Sequence, residues 1–152
     1  MNAPVNLPTT TELHGLTPEL WTSLTSVQIS AQEAVEAVRR DPQAVGMIRA
    51  AIPSLADRCK PCGEKAVIAT LAPLLAVYGV GDKSQAEWKF FWQVYSEMLA
   101  GLPLESVQAG VKAYVASQDS QFFPKPGPLL ALCRATQIPA IIALGRARRA
   151  VL

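Results

Sequence analysis

The chain has 152 residues, half of them hydrophobic, with 17% charged, 7% aromatic and a formal net charge of +2. A polymer this apolar and this weakly charged is not intrinsically disordered, and its length suffices for one domain with a real core. The 23 Ala and 17 Leu favour helices, because these side chains lose least on entering one, and the 12 Pro must fall between helices or in tails.

Residues 1–16 are rich in Pro, Thr and Asn and lack periodicity, which predicts a flexible arm. Thr17-Pro18-Glu19 supplies an N-cap, a proline at the first helical position and an early acid, so a short helix starts there. Ser30-Ala31-Gln32-Glu33 is a capping box and opens a helix running to about residue 40. Asp41-Pro42 starts another, expected to stop near residue 51, ahead of Pro53. A turn at residues 59–63 leads into a helix whose Val67, Ile68, Leu71, Leu74, Leu75 and Tyr78 share one face, with Pro73 expected to kink it.

After a loop at residues 79–83, Ser84-Gln85-Ala86-Glu87 is a second capping box. Trp88, Phe91, Trp92, Tyr95, Met98 and Leu99 then recur at helical spacing and are expected to face the core, while Phe90 falls on the opposite side. Gly101 is expected to end this helix in a left-handed conformation, and Pro103 to begin the next, with Val107, Val111, Tyr114 and Val115 on one face. The run Phe122-Phe123-Pro124-Lys125-Pro126-Gly127-Pro128 cannot be helical, since each proline pushes its predecessor toward an extended conformation. A short helix over about 128–136 follows, and Pro139 starts a last one carrying Ile141, Ile142 and Leu144 before Arg146, Arg148 and Arg149.

No strand pattern and no repeat competes. The expected fold is all-α: a compact multi-helix orthogonal bundle with a flexible N-terminal arm. It divides into the arm (1–16), N-terminal helices (17–57), a helical core (58–135) and a C-terminal basic helix (136–152). Charge is uneven along the chain: residues 1–57 hold three basic and six acidic groups, and the remainder holds 11 basic and six acidic. The basic end suits phosphate or an acidic partner surface, or is a solvated helix face. The longest uncharged stretch, residues 66–81, is shorter than the ~20 residues that span a bilayer, so no membrane segment is expected. An odd number of cysteines, three, and no leader pattern at the N-terminus fit a reducing cytoplasm.

Catalytic chemistry finds little footing. Cys59-Lys60-Pro61-Cys62 is a single C-x-x-C without a second pair, so neither a zinc site nor any other metal or cofactor is expected. His14 is the only imidazole and lies in the expected arm. No nucleotide-binding glycine motif is present. The sequence therefore reads as that of a binding protein rather than an enzyme.

Residues 88–132 have a recognisable layout. An aromatic helix with a tyrosine is followed by a Leu-Pro turn, an amphipathic helix and a Phe-Pro-x-Pro turn into a Leu-rich helix. Trp92, Tyr95, Leu99, Pro103, Ala113, Tyr114, Phe123, Pro124 and Pro126 carry it. This resembles the small helical domain of phage replicative-helicase loader and inhibitor proteins. The resemblance implies a non-catalytic replication protein that docks on a hexameric DnaB-type helicase and regulates or loads it. The expected partner contacts are Arg146, Arg148 and Arg149, with Lys125 and Arg134 nearby in sequence. Phe122 and Phe123 either anchor their loop to the core or turn one ring to a partner, and Phe123 joins the contact set. Two other readings stay open. One is a helical adaptor or virion-assembly protein acting through an apolar interface, its own dimer included. The other is a small DNA-binding protein whose arginines follow phosphates.

Overall fold

The computed structural model describes residues 13–118, 120–136 and 138–152. Among these are eight α-helices, one 3-10 helix and no strand, so the chain is all-α. They form two compact units. One runs up to Arg58 and takes in Pro139–Leu152; the other is Cys59–Ile138. The C-terminal helix, expected as a separate basic segment, is thus part of the N-terminal unit.

That unit contains α1 (Pro18–Thr25), α2 (Ala31–Arg39), α3 (Pro42–Arg58) and the last helix, α8 (Pro139–Ala150). Its helix starts are local. Thr17 accepts the Leu20 amide at 3.2 Å, and the Ser30 hydroxyl accepts the Glu33 amide at 3.2 Å while the Glu33 carboxylate accepts the Ser30 amide at 2.8 Å. α3 departs from expectation by continuing through Pro53 to Arg58. Ala44, Ile48, Ala51 and Leu55 form one buried stripe, and stopping at residue 51 would leave Leu55 outside it. Burying that leucine and keeping the later helical bonds offsets the one bond Pro53 cannot make.

The last residues assigned to the flexible arm, 13–16, are anchored instead. Residues 1–12 lie outside the described residues, but Leu13 and Leu16 are buried, and a turn closes between them with the Leu16 amide donating to the Leu13 carbonyl. His14 sits against the Trp21 ring and hydrogen-bonds Ser54. Two apolar anchors three residues apart therefore fix what composition alone made look loose.

In α8 the buried residues Ala140, Ala143, Ala147 and Ala150 recur at helical spacing. A stripe of small side chains lets neighbouring backbones come close, and α8 packs against α1, α2 and α3. Leu144 is buried with them, so the apolar side of this helix is core and not a free docking face. Arg39 donates to the carbonyls of Arg149 at 2.6 Å and Ala150 at 3.4 Å, setting a cation at the negative end of α8.

The second unit contains α4 (Glu64–Leu71), a 3-10 helix (Ala72–Ala76), α5 (Gln85–Leu99), α6 (Leu104–Ala116) and α7 (Pro126–Ala135). Pro73 converts the expected kink into a change of helix type, because it cannot donate the next α-helical bond. The Ser84 capping box starts α5. α5 ends at Leu99 with its C-cap, Ala100, in an ordinary helical conformation, and Gly101 is not among the residues with positive φ, so the expected left-handed stop is absent. Pro103 is the N-cap of α6 and not its first residue, and α7 begins at Pro126, two residues early. Prolines in the first turn of α7 lack only amides that would have had no helical partner.

Val67, Leu71, Leu99, Val107, Leu129 and Cys133 form the centre of this unit's core. The C-x-x-C turn serves it structurally: the Cys62 amide donates to Leu102 O at 2.9 Å and the Gly63 amide to Ala100 O at 3.1 Å, tying the start of α4 to the α5–α6 turn. α6 and α7 approach closely at Gly110, where a Cβ would stand 2.8 Å from both the Cα and the amide nitrogen of Cys133. The close approach requires glycine. Among the described residues, no single helix is long and apolar enough to cross a membrane.

The division also redistributes charge. Seven basic and six acidic residues fall in each unit, a net +1 apiece. The acidic-then-basic asymmetry belongs to chain order and not to the folded units.

Candidate docking surface

The aromatic residues of α5 build the most distinctive surface of the second unit. Phe91 meets Trp92 with ring centroids 4.9 Å apart and Phe123 at 5.4 Å; Tyr95 meets Phe123 at 5.6 Å. Phe91 and Trp92 are half-buried and Tyr95 is buried, so the helical stripe is mainly core, as its spacing predicts.

Two tyrosine hydroxyls, that of Tyr95 in this cluster and that of Tyr114 on α6, reach the loop before α7. Tyr95 donates to the Pro124 carbonyl, and Tyr114 donates to the Phe122 carbonyl at 2.6 Å. Burial, with a smaller effect of Tyr114, pushes the Tyr95 hydroxyl up to about 12, so it stays protonated and remains a donor. Ser120 adds bonds to the Val115 and Ser117 carbonyls, at 3.1 and 2.8 Å. The loop is pinned on both sides of Phe123, whose ring is only 8% exposed, while the neighbouring Phe122 is 72% exposed. An exposed ring on a loop whose backbone is already fixed meets a partner without the entropy cost of ordering the loop.

Beside it, an open apolar groove of about 530 Å³ lies between Lys83, Phe90, Phe91, Val94 and Pro126. The Lys83 ammonium stands 5.9 Å from the Trp88 ring centroid and 5.6 Å from that of Phe91, in cation–π range. The Glu87 carboxyl is lowered by its hydrogen bonds to the Ser84 side chain and backbone and, less, by Lys83.

The expected contact residues divide between the two units. Lys125, the N-cap of α7, and Arg134, in its last turn, are exposed. Phe123 is not a contact residue; it is core, and its neighbour Phe122 takes the outward place. Arg146 is 8% exposed and donates to the Ser26 and Ile29 carbonyls at 2.8 Å and to Ser23 O at 3.2 Å. It is therefore a clip closing α8 onto the end of α1 and the segment that follows, and is unavailable to a partner. Arg148 and Arg149 are exposed.

Sequence reasoning missed which of the two adjacent phenylalanines turns inward, since nothing local separates them. Gly110 was also missed; its signal was a lone glycine inside a strongly patterned helix.

Among the described residues no group of three or more His, Cys, Asp and Glu is placed to hold a metal. The three cysteines form no disulfide. Burial pushes the Cys133 thiol up to about 11. No family model, curated protein or solved structure matches this chain.

Proposed function

We propose that the protein acts by binding and not by catalysis: it docks on a DnaB-type replicative helicase and regulates or loads it, in the cytoplasm of a phage-infected or prophage-carrying cell. The observation that carries this reading is the pinned loop. Tyr95, Tyr114, Phe123 and Pro124 are all positions of the helicase-loader layout, and the two tyrosine hydroxyls hold the backbone of the loop that carries the exposed Phe122 and Lys125. An exposed apolar ring and a cation on one loop suit a partner surface with an apolar pocket and an acidic rim. A protein of this kind works through differential affinity for helicase states and requires no catalytic group.

A small DNA-binding protein is less well supported, because each unit carries only +1 and Arg146 is committed internally. A helical adaptor for another partner would use the same outward ring.

The test is co-elution of the purified chain with the replicative helicase of its host. A stable complex is expected at about 10 µM, and Phe122→Ser combined with Lys125→Glu should weaken it at least about tenfold. Both residues are exposed, so the variant keeps its fold. No complex at that concentration, or one indifferent to the double substitution, refutes the proposal.

A further inference from the structure

The segment that precedes α1 is held by the only histidine of the chain. His14 stands between the buried Leu13 and Leu16 with a φ of 56°, a left-handed conformation that residues other than glycine seldom adopt. Its ring lies against Trp21 of α1, centroids 5.8 Å apart, and both of its nitrogens reach α3. Nδ1 is hydrogen-bonded to the Ser54 hydroxyl, and Nε2 lies 3.3 Å from a terminal nitrogen of the Arg58 guanidinium. Ser54 and Arg58 are four residues apart and so stand one above the other on one face of α3.

Donor chemistry fixes the proton on this ring. A guanidinium has N–H donors and no acceptor, so Arg58 donates and Nε2 accepts with its lone pair. A neutral imidazole with a bare Nε2 carries its hydrogen on Nδ1, which then donates to Ser54 Oγ. Both bonds exist only in this tautomer of the neutral ring. A proton on Nε2 removes the acceptor and sets an N–H against the N–H of a cation. The charged groups on the two helices beside the ring are Glu19 of α1 and Asp57 and Arg58 of α3. The carboxylates attract an imidazolium; Arg58 repels it from hydrogen-bond distance at the atom that takes the proton, and that contact decides the sign.

We propose that His14 is a proton-operated latch: as the neutral ring it ties residues 13–16 to α3, and protonation of Nε2 releases them. The docked ring binds a proton less readily than a free one, so its protonation midpoint falls below the ordinary histidine value of about 6.5. The latch is whole above about pH 6.5 and weakens as pH falls through the docked midpoint. Each pH unit between the docked and free midpoints makes the released segment about tenfold more populated once the ring is charged. All the contacts lie in the N-terminal unit, and none belongs to the surface assigned to the helicase, so the latch stands or falls separately from that reading.

Imidazole NMR of the full chain at about pH 7.5 should show the Nδ1–H tautomer, the less common one in free histidine. Titration from about pH 8 to about pH 5 should place the His14 midpoint at least about half a pH unit below 6.5. Over that range the Leu16 amide, bonded to the Leu13 carbonyl, should lose at least about threefold of its protection against hydrogen exchange, after correction for the intrinsic rate. Arg58→Gln, whose amide can accept as well as donate, should raise the midpoint by at least about half a pH unit. His14→Asn tolerates the left-handed φ and does not titrate, so its Leu16 protection should stay level across the range. Circular dichroism checks that both variants are folded, and the tautomer and midpoint of the parent need neither of them. An Nε2–H tautomer, or a midpoint at or above about 6.5, overturns the proposal. So does a midpoint that Arg58→Gln leaves in place, a parent whose Leu16 protection does not fall, or a His14→Asn chain whose protection falls as the parent's does.

Discussion

Replacing Arg146 with Met keeps the length and apolar stem of the side chain and removes a guanidinium that donates to three main-chain carbonyls, at 2.8, 2.8 and 3.2 Å. A hydrogen bond to a charged group contributes about 1.5–3 kcal/mol. The three acceptors are only part-buried, so water recovers a share of each, and the expected loss is about 3 kcal/mol. Against a total of roughly 5–15 kcal/mol this is a large fraction, equivalent to a fall in Tm of about 6–12 °C. Arg148→Met, two residues away on the exposed side of α8, should change stability by less than about 0.5 kcal/mol. Arg146→Lys should recover only part of the loss, since an ammonium cannot span three carbonyls as a planar fork does. Urea unfolding followed by circular dichroism measures all three. If Arg146→Met and Arg148→Met fall within about 0.5 kcal/mol of each other, the clip described for Arg146 is wrong and its partner-contact role returns.

Two further outcomes follow from the second unit. Gly110→Ala should destabilise it by about 2–3 kcal/mol even though Ala is the better helix former, because the new Cβ stands 2.8 Å from the Cys133 backbone and α6 must move off α7; a thermal melt no lower than the parent's would contradict this. For Tyr95 the folded pKa of about 12 lies above the ordinary value of 10.0, mainly through burial. Its contribution is fully present below about pH 10 and is lost as pH rises toward 12, up to about 2 kcal/mol, so the parent should lose stability over that window and Tyr95→Phe should lose less there.

The helices of this chain were legible because what starts and stops them is local. The Ser30 and Ser84 boxes each close over three residues, and Thr17 caps Leu20 across the same distance. Pro73 breaks its helix through a bond it cannot make within one turn. The aromatic stripe of α5 was legible for the same reason, since periodicity alone decides which side of a helix can be covered. Local rules also misled where a distant burial outweighed them. Pro53 marks a plausible stop, yet α3 runs on because Leu55 completes a stripe that only the assembled unit buries.

The candidate site was read less well, and Phe122 and Phe123 show why. Adjacent identical residues carry no local difference. Their fates were set by Tyr114 and Tyr95, 8 and 29 residues from the loop carbonyls they hold. Phe90 could be picked out as the aromatic on the outer side of α5, and it is exposed there.

Composition and patterning by themselves determined that the chain is helical, where most helices begin, and which face of α5 is core. Tertiary structure alone decided that the last helix belongs with the first three, that Arg146 is a clip and not a contact, and that Gly110 is a crossing point. The physical reason is range. Caps and periodicity act within about four residues, whereas the carbonyls that hold Arg146 lie 117 to 123 residues away in sequence and meet it only after the chain has folded.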